Sequence, residues 1–141
     1  MRPSLSRRER RGSAATEFAL WVFPIMVLIS GLVDFSWYMS RYHNVVRVAR
    51  DAARTGAAIY EHDVGFKGEL VVPAARDHAY LAFEMMNMDC IEPECTIDVA
   101  YLTDPYDHVA VAVTYQYQPL VGLYRFEPTL YSRFVMLHEY Q

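Results

Sequence analysis

Few residues in this chain have the type and spacing to do chemistry. Glu17 is a lone carboxylate at the head of a run, Phe18 to Val33, that carries no charge. A carboxylate in an apolar segment of that length costs roughly 2.5–3.5 kcal/mol on membrane-insertion scales. One relief is to snorkel to the nearer interface or to take up a proton. The other is a partner charge. If the chain were cut after Gly12, Ser13 would carry a free ammonium and Glu17 would be the fifth residue of the new helix. The ammonium of a neighbouring subunit could then meet this carboxylate inside the bilayer, each removing the desolvation cost of the other and fixing the axial register of two helices.

Cys90 and Cys95 form the second pair. In an oxidising compartment they would close a short loop as a disulfide, with free thiols as the alternative. No further ligands lie near them in sequence to complete a zinc site. The five histidines (His43, His62, His78, His108, His138) are scattered. Asp77-His78 and Asp107-His108 are adjacent pairs, and neighbours on a helix or strand point apart. No nucleophile elbow, phosphate-cradling glycine loop or H-E-x-x-H sequence is present, so neither an enzyme nor a cofactor is expected.

These residues need elements to position them, and the charge distribution shows how the chain is divided. The protein has 141 residues and a net charge of −4, but residues 1–12 carry +4 and the remainder −8. A basic arm ahead of an apolar run is the positive-inside pattern, which keeps the N-terminus cytoplasmic and sends the rest across. Nucleic-acid binding fits such an arm less well. A secretory signal lacks its small-residue cleavage site. Ser6-Arg7-Arg8 matches a twin-arginine signal only faintly.

Residues 1–11 are expected to be irregular. Ser13 to Val33 is long enough to span a bilayer as a helix, with Pro24 as a kink and Asp34, Trp37 and Tyr38 at the far interface. Spacing of three and four continues through Tyr42, Val45, Val48, Ala49, Ala52 and Gly56, so the helix runs on as an amphipathic rod to about Ala58. A loop over 61–70 should precede a second helix, about 73–88, opened by Pro73 and buried through Leu81, Phe83, Met85 and Met86 with Tyr80. Alternation over 97–101, 109–117 and 129–139 predicts three antiparallel strands, with one face packed on the outer half of the first helix. The expected fold is α+β: a basic leader over 1–12, a transmembrane helix over 13–36, and an extracytoplasmic α+β domain over 37–141.

Arg10-Arg11-Gly12-Ser13-Ala14-Ala15-Thr16-Glu17-Phe18-Ala19-Leu20, the apolar run with Pro24 and the alanine-rich stretch Ala49 to Ala58 together resemble the TadE/TadG-like family. These are minor pseudopilins of the tight-adherence (Flp, type IVb-like) pilus. Thr16 stands where the family more often has an aliphatic residue, and Phe18 where the strictest processing motif has tyrosine. At this length the TadE-like branch is the closer fit. The resemblance implies a prepilin leader, residues 1–12, removed between Gly12 and Ser13 by a dedicated aspartic prepilin peptidase. It makes Glu17 the assembly glutamate. The partners it implies are other pilin and pseudopilin subunits, that peptidase, the inner-membrane assembly platform and the lipid bilayer, with no nucleic acid. Inner-membrane insertion with a periplasmic C-terminal domain, and incorporation into a pilus, follow from the same resemblance. The alternative from another class is an uncleaved single-pass protein whose outer domain binds a ligand or acts as a scaffold.

Overall fold

The computed structural model describes residues 7–59, 68–104, 106–122 and 127–137, with side chains from Ala15 onward. The leader residues 1–6, most of the loop expected over 61–70 and the last residues of the strand expected to 139 lie outside them. The fold is α+β: two helices, α1 (Arg7–Ala58) and α2 (Gly68–Met85), then three strands, β1 (Cys95–Leu102), β2 (His108–Gln116) and β3 (Thr129–Leu137).

α1 has 52 residues, about 78 Å of helix. It begins at Arg7 rather than near Ser13. Residues 7–11, expected to be irregular, are arginines and a glutamate, which are good helix formers once a downstream helix supplies the nucleus. Pro24 is accommodated inside the helix, at the cost of the bond its missing N–H would have given to the Leu20 carbonyl.

The outer half of α1 is a core element. Val45, Val48, Ala49, Ala52 and Ala53 are fully buried, and they recur at three- and four-residue spacing. The small side chains bring α1 close to its neighbours. At Gly56 a Cβ would fall 3.0 Å from Val109 Cγ1 and 3.1 Å from Ala75 Cβ, where α1, β2 and α2 converge. A methyl group there would require Val109 and Ala75 to give by a few tenths of an ångström.

α2 departs from its expected bounds and its expected face. It starts at Gly68, five residues before Pro73, which lies inside it. Its buried residues are Val71, Ala75, Ala79, Ala82 and Phe83, whereas Leu81 and Met85 are exposed. The alanine stripe decides which side is buried, because it allows α2 to approach α1 closely, and Val71 anchors the turn ahead of the proline. α2 closes in a Schellman arrangement. The Met88 amide bonds the Phe83 carbonyl at 3.0 Å and the Asn87 amide bonds the Glu84 carbonyl at 3.0 Å. Asn87 takes the left-handed conformation this needs, with φ 52°. Cys90 and Cys95 are joined as a disulfide, with Cα atoms 4.9 Å apart, across the turn into β1.

The sheet has the order β1-β2-β3 and is antiparallel throughout. Its register aligns Ile97 with Val113 and Ser132, and Val99 with Val111 and Phe134. These rows face the helices, as the alternation in sequence predicts. Phe83 of α2 stacks on Tyr115 at 6.0 Å between ring centroids.

Candidate functional site

Among the described residues, the inner half of α1 has no buried side chain before Asp34. Within Ala15–Ala58 an 18-residue window has a mean hydropathy of 2.1, and none of it is buried. Phe18, Leu20, Trp21, Phe23 and Leu28 are each about 70% exposed. An apolar face of this extent requires another apolar phase, either lipid or the helices of neighbouring subunits. The hydroxyls within it are already satisfied. Ser30 Oγ donates to the Met26 carbonyl at 2.9 Å and Ser36 Oγ to the Leu32 carbonyl at 2.8 Å, so neither adds a polar cost in lipid.

Glu17 lies on this segment with an exposed side chain. Gly12 and Ser13 fall within the backbone of α1. Ser13 and Glu17 are four residues apart, so the position of a new amino terminus and the carboxylate share one face of the helix.

The segment ends at a junction that sequence reasoning placed differently. Asp34 does not face outward with Trp37 and Tyr38 as an interfacial belt. It is 9% exposed, and it ties α1 to the loop after β2. Asp34 Oδ1 accepts the Val121 amide at 2.8 Å. The Asp34 carbonyl accepts the Tyr117 hydroxyl at 2.9 Å. Tyr38 meets the Tyr117 ring edge-on at 5.3 Å.

Burial raises the pKa of the Tyr117 hydroxyl above the usual tyrosine value, and the Asp34 charge raises it further, with Arg41 opposing. The hydroxyl therefore remains a donor at physiological pH. The Arg41 guanidinium lies over the Trp37 ring at 4.4 Å and donates to the Asn87 carbonyl at 3.4 Å. It thereby links α1 to the end of α2. A sequence signal for Asp34 existed. It is the first charge after the apolar run, and it has no opposite charge one turn away on either side.

Among the described residues, the histidines do not converge. His108 Nδ1 is 2.7 Å from the Tyr106 carbonyl, and His78 Nδ1 is buried without a hydrogen-bond partner among the described residues. Among those residues, no group of three or more His, Cys, Asp and Glu side chains is placed to hold a metal.

Residues 12–54 match the family model described as TadE-like protein. Over this segment, about a third of the chain, the sequence is similar to TadE-like proteins. The match begins at Gly12, covers the whole apolar run and Asp34, and ends at Arg54, just past the buried Ala52 and Ala53. The TadE-like segment is thus one continuous helix, and α2 and the sheet lie beyond it. The similarity points to the Tad pilus system, and the apolar helix suits membrane anchoring. Comparison with curated proteins and with solved structures returned no match.

Proposed function

We propose that this chain is a minor pseudopilin of a Flp/tight-adherence pilus. It is inserted in the inner membrane with α2 and the sheet on the periplasmic side, and it joins partner pilins through α1. The observation that carries this reading is the apolar half of α1. It is as long as a bilayer is thick, has no buried side chain among its described residues, and is fused without a break to a packed α+β domain. A basic arm ahead of it favours a cytoplasmic N-terminus. Cleavage between Gly12 and Ser13 would place a new ammonium one helical turn from Glu17. The pair would then bind head to side between subunits, as the family resemblance implies. The disulfide of Cys90 and Cys95 suits the oxidising periplasm.

Topology is testable because no cysteine is free. A cysteine placed at exposed Met85 should react with a membrane-impermeant maleimide in spheroplasts before permeabilisation. Labelling only after permeabilisation would overturn the orientation.

A further inference from the structure

The junction holds a feature that subunit pairing through Glu17 does not use. Asp34 Oδ2 is buried and has no hydrogen-bond partner among the described residues, although Oδ1 of the same carboxylate is satisfied. Asp34 lines a cavity of about 660 Å³ whose other walls include Val27, Leu28, Gly31, Tyr38 and Tyr117. The cavity is open along one side of α1 and almost wholly apolar. Its polar end is Asp34, and its apolar end descends about 10 Å along the helix to Val27. Ser13 to Val33 spans about 31 Å, the thickness of the hydrocarbon core. With that segment in the bilayer, Asp34 stands at the outer boundary and the groove beneath it points into the acyl region.

We propose that this groove binds one phospholipid of the outer leaflet with a primary ammonium headgroup. The ammonium donates to Asp34 Oδ2 beside the Tyr38 and Tyr117 rings, and an acyl chain lies over Gly31 and Leu28. The charge is complementary, and the neighbouring cation of the chain is already engaged, since Arg41 is held by Trp37 and the Asn87 carbonyl. A primary ammonium supplies the N–H donors that a carboxylate accepts, which a trimethylammonium cannot. A second copy in parallel register fits worse, because it would set Asp34 against Asp34.

This inference rests on the bilayer placement proposed above, not on the pilus role. The test uses the full chain extracted from membranes in detergent. Phosphatidylethanolamine, phosphatidylcholine and phosphatidylglycerol of the same acyl chains are offered in equal amounts, and retained lipid is read by native mass spectrometry. Phosphatidylethanolamine should be retained roughly tenfold or more over the other two, the lower end of what one charge-assisted hydrogen bond supplies. Asp34→Asn, which keeps an oxygen for the Val121 amide, should reduce it to the level of phosphatidylcholine. Gly31→Leu, which fills the groove and leaves the carboxylate in place, should remove the preference as well.

Equal retention of the three lipids, or a preference that survives either substitution, would overturn the site. So would a photo-cross-linker at position 31 that captures a protein subunit in membranes instead of lipid. Absence of the chain from membranes would remove the bilayer placement and the site together, whereas recovery without headgroup preference removes the site alone.

Discussion

Replacing Glu17 with alanine is expected to leave membrane insertion intact or improved while weakening association with partner pilins by two orders of magnitude or more. The insertion side follows from removing a carboxylate that costs roughly 2.5–3.5 kcal/mol in an apolar segment. The assembly side follows from the partner left behind. Removing one member of a buried ion pair costs roughly 3–5 kcal/mol, because the remaining charge stays desolvated and unmatched. Glu17→Gln should behave similarly, since it keeps the shape and loses the charge. Co-purification from detergent-solubilised membranes reads both outcomes in one experiment. Unchanged recovery of partner subunits with either variant would contradict a pairing role. Glu17 is suited to that role because it sits on the exposed segment and not in the core.

The second large effect lies in the domain. Phe83 is 1% exposed and stacks on Tyr115, joining α2 to the centre of the sheet. Phe83→Ala should cost roughly 3–5 kcal/mol, combining the lost transfer energy with the cavity it leaves. That is a large fraction of the stability of a small domain. Met85, two residues on and 72% exposed, provides the control, and Met85→Ala should fall within about 0.5 kcal/mol of the parent. Urea unfolding of the detergent-solubilised chain, followed by circular dichroism of the sheet, separates the two. Equal midpoints would mean that α2 does not pack through the face described.

These two residues also show which parts of the molecule could be read from its sequence. Glu17 is conspicuous because charge in an apolar run has no cheap explanation. The long helix was visible because the three- and four-residue spacing of Tyr42, Val45, Val48 and Ala52 continues past the run. The strands were visible because period-two alternation at Ile97, Val99, Val109, Val111 and Val113 has no helical counterpart.

The buried side of α2 was misjudged for a physical reason. Hydrophobicity points to Leu81 and Met85, but close packing against an alanine-rich helix selects the small residues Ala75, Ala79 and Ala82. Its start was misjudged because proline at the sixth position costs one hydrogen bond, which the packing of Val71 offsets. Asp34 looks like an interfacial marker in sequence because its partners, Tyr117 and Val121, are more than eighty residues away. No local pattern reports a contact of that separation.

On the proposed function, α1 is the assembly helix of a mature pseudopilin, with its new amino terminus one turn from Glu17. The direct measurement is the amino-terminal sequence of the chain extracted from membranes of cells that contain a prepilin peptidase. A mature start at Ser13 is the predicted result. An intact start with the arginine-rich leader retained would contradict it.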